Sequence, residues 1–185
     1  VRKGLVQVTL ACACALAFCF AVAAQKSVQT SPGTGGSPHF RSEWDIKGAH
    51  ITIEYGRPYL KGRTIGKELA PYGEPWRTGA DEATIITSTK ALKLGTIPLA
   101  ANTTYTINTL PNPDHWDLII GKLSEKGQWG IPYQPNLEIA RTPMKLGKTS
   151  APVEQVTISI DPTSTGGTLR VEWGTVNATV PLTIQ

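Results

Sequence analysis

Residues 169–184 read LRVEWGTVNATVPLTI, and their alternation decides the fold. Leu169, Val171 and Trp173 alternate with Arg170 and Glu172, and Val176, Ala178, Val180, Leu182 and Ile184 alternate with Asn177, Thr179 and Thr183. Successive side chains of a strand point to opposite faces, so each set gives one apolar face and one wet face. The same period of two runs through Ile51, Ile53 and Tyr55, set against His50, Thr52 and Glu54. Shorter runs rich in Thr, Ile, Val and aromatics lie at 84–89, 103–110, 116–120, 137–141 and 153–160, a composition suited to a pleated, half-buried surface. Turn chemistry separates them at Leu110-Pro111-Asn112-Pro113-Asp114, at Lys126-Gly127 and from Asp161-Pro162 to Gly166-Gly167. The spacing predicts an all-β chain: a single antiparallel β-sandwich or jelly-roll-like domain. One short helix is expected over Thr64–Ala70, stopped by Pro71.

The N-terminus belongs to a different argument. Val1-Arg2-Lys3 is basic, Leu5 to Ala23 is apolar apart from Gln7 and Thr9, and small residues close the run at Ala21-Val22-Ala23-Ala24. That order predicts a signal peptide over 1–24 and a bacterial periplasmic or extracellular destination, with no membrane span after cleavage. A membrane anchor is the alternative, disfavoured by the small residues and by the lack of a basic cluster directly after them. Lipidation fits poorly, because Phe18 precedes Cys19 and Thr9 stands three before Cys12. All three cysteines, Cys12, Cys14 and Cys19, fall inside this segment, so the expected mature chain has no disulfide, thiol nucleophile or cysteine metal site. Loss of Arg2 and Lys3 takes the formal charge from +4 to +2, and the remaining cations are spread singly. A nucleic-acid partner is therefore not expected. Residues 25–39, rich in Ser, Gly and Pro, are expected as a flexible tether, with the all-β domain over 40–185.

Chemistry concentrates in two loops. Pro71–Thr84 reads PYGEPWRTGADEAT, and Arg57–Arg63 reads RPYLKGR. Only the expected helix separates them, so they are placed side by side. A guanidinium next to an indole can stack on it and still fork two hydrogen bonds toward an anion. Arg57, Tyr59, Arg63, Trp76, Arg77 and Glu82 are the candidate ligand-binding residues, for a small polar ligand or an envelope glycan. The competing reading is a structural lock in which Arg77 clamps Glu82 or another acid. Trp173 and Trp116 are expected in the core, and Trp129 is expected on the surface as a further ligand contact.

Catalysis finds no support. Asp81 and Glu82, if already on the strand through Ile85, would point to opposite faces, so the pair alone makes no general acid–base couple. A hydrolase reading would need one of them plus a distant acid such as Glu54 or Asp117. His39 is assigned to the tether, and His50 and Glu54 share a face without completing a ligand set, so neither metal nor cofactor is expected. No Gly-x-Ser-x-Gly, Gly-x-x-x-x-Gly-Lys or Gly-x-Gly-x-x-Gly motif occurs.

The stretch Tyr72-Gly73-Glu74-Pro75-Trp76-Arg77-Thr78-Gly79-Ala80-Asp81-Glu82-Ala83-Thr84 resembles the signature of a family of bacterial exported domains of unknown function, numbered 2911. Arg57-Pro58, Lys61-Gly62-Arg63, Tyr105–Pro111, Trp116–Lys122 and Gln128-Trp129-Gly130 fit the same pattern. The resemblance runs from about Ile51 to the C-terminus and departs at Asp81, where the pattern has Asn, and near Asn102, where it has a glycine turn. It implies a secreted or periplasmic all-β domain and transfers no catalytic residue.

Overall fold

A computed structural model describes residues 25–185; the expected signal peptide and its cysteines lie outside the described residues. Twelve strands follow in order: β1 (Lys26–Ser31), β2 (His39–Ile46), β3 (Ala49–Gly56), β4 (Ile65–Gly66), β5 (Leu69–Pro71), β6 (Thr84–Ser88), β7 (Leu92–Leu94), β8 (Ile97–Leu99), β9 (Tyr105–Pro111), β10 (Trp116–Lys122), β11 (Glu138–Pro162) and β12 (Gly166–Ile184). The ten strands other than β4 and β5 pair antiparallel in the order β1-β2-β3-β6-β9-β10-β11-β12-β7-β8. The all-β expectation is met. Among the described residues no helix is long and apolar enough to cross a membrane.

One strand makes the sheet turn back on itself. The first part of β11, to Met144, pairs with β10, and from Lys145 onward it pairs with β12. The runs expected at 137–141 and 153–160 are thus two parts of one strand, with register slips between Lys148 and Thr157 where it bends. Bulges of this kind increase local twist and re-aim a strand. The apolar faces of the two halves then meet in one core that includes Trp44, Ile51, Ile53 and Ile107 from one side and Val171, Trp173, Val180 and Leu182 from the other. The Tyr55 hydroxyl reaches across from β3 to accept from the Ile158 amide at 3.0 Å. Burial raises the Tyr55 pKa, against the opposing pull of Arg57.

Both alternations of 169–184 sit on the single strand β12. Leu169, Val171 and Trp173 are buried, then Ala178, Val180 and Leu182, so the inward phase slips from odd to even positions. Gly174, at φ +56°, lies at the slip. A glycine takes this left-handed conformation without a Cβ penalty.

Two local expectations are overturned. Thr64–Ala70 is not a helix: β4 and β5 form a small parallel pair there. Gly66 stands at φ +87°, and a Cβ on it would lie 2.2 Å from the Tyr72 ring. The Glu68 carboxylate accepts from the Thr64 amide at 3.0 Å, closing the segment as a turn. Residues 26–31 form an edge strand where a tether is expected. The composition is still informative, since every residue of β1 is exposed, but backbone pairing with β2 needs no apolar side chain.

Candidate functional site

The Trp76–Glu82 loop is fastened at both margins. Trp76 and Thr109 exchange backbone hydrogen bonds at 2.7 and 2.8 Å, and the Ala80 amide donates to the Gly56 carbonyl at 3.2 Å. Thr78, fully buried, donates its hydroxyl to Thr109 Oγ1 at 3.2 Å. Thr78 and Asp81 hold φ values of +53° and +63°. Left-handed backbone at a β-branched residue costs energy and persists only where its surroundings enforce it. Below the loop, the Trp76 indole stacks on Trp173 (centroids 5.2 Å apart, planes at 14°) and meets Trp116 edge to face at 6.4 Å. Trp173 and Trp116 are core residues, each 1% exposed.

Arg77 is the residue this framework leaves over. Its Nε donates to the Gly79 carbonyl at 3.3 Å, and its guanidinium lies 5.8 Å from the Trp129 ring centroid. Its Nη1 is buried and without a hydrogen-bond partner, the only charged group in that condition among the described residues. Burial lowers the Arg77 pKa, and the negative charges of Asp81 and Glu82 oppose that shift through space. The clamp expected of a structural lock is not made, for no carboxylate pairs directly with Arg77 among the described residues.

A cleft of about 370 Å³ opens beside it, with Arg63, Glu68, Trp76, Arg77, Asp81 and Trp173 among its lining residues. Arg63 donates from Nε to the Leu60 carbonyl and from Nη2 to the Tyr59 carbonyl, at 3.1 and 2.8 Å. Five N–H donors on a guanidinium leave some for a ligand. Trp129, 45% exposed, approaches the Arg77 head but does not line the cleft.

Arg57 and Tyr59 have other positions. Arg57 donates to the Val156 carbonyl and to Thr157 Oγ1, each at 2.7 Å, and packs over Phe40, so it ties β3 to β11. Tyr59 bridges to Gln155 through its backbone, with Lys61 near its ring. Neither is on the wall of the Arg77 cleft.

Glu82 turns to a second pocket, of about 350 Å³, which it lines with His39, Arg41, Glu54 and Tyr55. Strand β6 begins only at Thr84, so strand alternation does not govern Asp81 and Glu82. Both carboxylates converge on His39 Nε2, from Asp81 Oδ2 at 3.0 Å and Glu82 Oε2 at 3.3 Å. Asp81 Oδ2 also accepts from the Thr34 amide at 2.8 Å. Sequence reasoning missed His39 because the Ser-Gly-Pro composition before it hides a strand start; the aromatic Phe40 and Trp44, four residues apart and so in phase on one strand face, are the available signal. The other histidines pair locally on the surface, His50 with Asp45 and His115 with Asp114.

The structure thus presents an all-β domain with Arg77 at the wall of a polar cleft. The chain belongs to the family described as Protein of unknown function (DUF2911), which matches residues 37–182. No curated protein and no solved structure matches it.

Proposed function

We propose that the domain is a non-catalytic binding protein for a small, hydroxyl-rich acid, such as an acidic sugar of an envelope glycan, taken into the Arg77 cleft. The observation that carries this reading is the Arg77 guanidinium on the cleft wall with no carboxylate paired to it among the described residues. Its Nη1 is enclosed and unpartnered, which costs about 1–3 kcal/mol, more for a charged group, and a side-chain shift that turns it to the cleft would let a ligand oxygen recover that. A carboxylate seated on Arg77 and Arg63 would place neighbouring hydroxyls against Glu68 and Asp81, and the half-buried Trp76 indole would take an apolar sugar face. The cleft volume lies within the usual range for small ligands, roughly 300–1,000 Å³. Export to the periplasm or cell exterior, read from residues 1–24, gives such a ligand its setting.

Thermal unfolding in chelator-containing buffer against uronic acids, peptidoglycan fragments, neutral sugars and simple carboxylates tests this. At 100 times its Kd a ligand adds about 2.7 kcal/mol of stability. An acidic saccharide that raises Tm in the wild type and not in Arg77→Met supports the reading. A panel without effect, or one acting equally on Arg77→Met, rejects it.

The hydrolase alternative gains one observation: Glu54 and Glu82 line the same 350 Å³ pocket. Glu54 is already paired with Arg41 at 2.9 Å. Glycan cleavage lost in both Glu54→Gln and Glu82→Gln would favour it over simple binding.

A further inference from the structure

We propose that His39, Asp81 and Glu82 form a binding site for a divalent transition-metal ion, separate from the Arg77 cleft. One ring nitrogen, His39 Nε2, faces two carboxylate oxygens at 3.0 and 3.3 Å. A lone pair on that nitrogen would be repelled by both, so an electropositive occupant must lie between them: a proton, or a cation. The 3.0 Å contact to Asp81 has hydrogen-bond length, and the convergence of a second carboxylate on the same nitrogen suits a cation as well. With metal–ligand bonds of about 2.1 Å, neighbouring donors lie roughly 3.0 Å apart in an octahedron and 3.4 Å in a tetrahedron. All three donors lie within 4.8 Å of one another, so a small rotation of the Glu82 side chain closes the set. Glu82 is free to make it, with its side chain 46% exposed, whereas His39 and Asp81 are held at 15% and 10%.

The surrounding backbone leaves room for the site. A Cβ at Gly56 would stand 2.9 Å from His39 Nε2 and 2.4 Å from the Ala80 carbonyl oxygen, so glycine is needed there for space. The Thr34 amide, by donating to Asp81 Oδ2, orients the carboxylate from outside the set. The opposing charge is Arg77, which both carboxylates influence without pairing. One imidazole and two carboxylates suit Zn²⁺ or Mn²⁺ better than soft or purely oxygen-seeking ions. Three protein donors leave coordination positions open, and His39 and Glu82 both line the 350 Å³ pocket toward which those positions would face.

The test is titration of the chelator-stripped purified protein with Zn²⁺ and Mn²⁺ by calorimetry, and with Co²⁺ by visible absorption. One equivalent is expected to bind, with Co²⁺ showing d–d bands of an N/O environment. His39→Gln is expected to weaken Zn²⁺ binding by more than the roughly 10–100-fold that loss of an outer-shell partner causes. Glu82→Gln, at an exposed side chain, provides a second variant whose folding is not at risk. His115→Gln is expected to keep Zn²⁺ binding, which separates this site from surface histidines. No binding by the stripped protein, or equal binding by wild type, His39→Gln and Glu82→Gln, overturns the proposal.

Discussion

Arg77 and the glycines around it show how the loop divides its work between holding itself and leaving a group free. Gly130 is where the two meet: a Cβ there would lie 2.3 Å from Arg77 Cδ and 2.9 Å from its Cβ. Gly130→Ala is therefore expected to displace the Arg77 side chain and abolish acid binding in the thermal-shift assay while the fold survives. Gly56 differs, because its neighbour at 2.4 Å is the Ala80 carbonyl, which cannot swing aside. Gly56→Ala is expected to cost about 1–3 kcal/mol in urea denaturation, as overpacking does; an unchanged midpoint would show the loop is looser than described. The Trp-Arg-Thr-Gly run was legible in sequence as a tight turn with a cation. That Arg77 has no carboxylate partner was not, since pairing depends on the left-handed backbone of Thr78 and Asp81, which residue identity alone does not announce.

At the level of elements, the segment after β10 is pinned to β11 by a small network. The Tyr133 hydroxyl donates to Glu138, which accepts from Arg141 Nε and Nη2 at 2.6 and 2.7 Å. Arg141 lowers the Glu138 pKa and Glu138 raises that of Arg141, while burial first and the carboxylate second push Tyr133 up to about 12. The signs follow. A lowered Glu138 pKa gives stability present above its unfolded value, roughly 4.3, and lost as pH falls through the folded value. A raised Tyr133 pKa gives stability complete below about 10, lost as pH rises toward about 12. Absorbance titration at alkaline pH should show a late phenolate that moves earlier in Glu138→Gln but stays above the ordinary range, because burial remains. Strand β1 offers the opposite case: exposed along its length, its amides are expected to exchange with deuterium well before those of β2 and β3. Composition foretold the exposure of β1 and missed its pairing, because an edge strand is held by backbone groups that every sequence has. The supposed helix at 64–70 failed for a related reason: a Gly at φ +87° and a side-chain cap closed the segment within one turn.

Across the whole molecule, the alternation of residues 169–184 carried the architecture, since one buried face per strand requires a second layer to cover it. The joining of two strand runs into β11 lay beyond it, as did the order of pairing, because these depend on where a long strand bends and not on which face is apolar. The two halves are held together at Trp173, Trp76 and Trp116. Trp173→Ala is expected to cost about 3–5 kcal/mol by denaturation. The expected loss is larger than for Trp76, which is only partly buried against the same core. Near-ultraviolet circular dichroism should lose the signal of the stacked pair.

The most direct measurement is the urea stability of Arg77→Met beside the wild type, in chelator and without ligand. If the guanidinium is kept for a ligand, a methionine of similar reach removes an unsatisfied buried charge, and stability should hold within about 1 kcal/mol or rise. If Arg77 instead locks the loop, the same change should cost about 3 kcal/mol or more, as breaking a buried ionic contact does, and the account of this cleft as a binding site would fall.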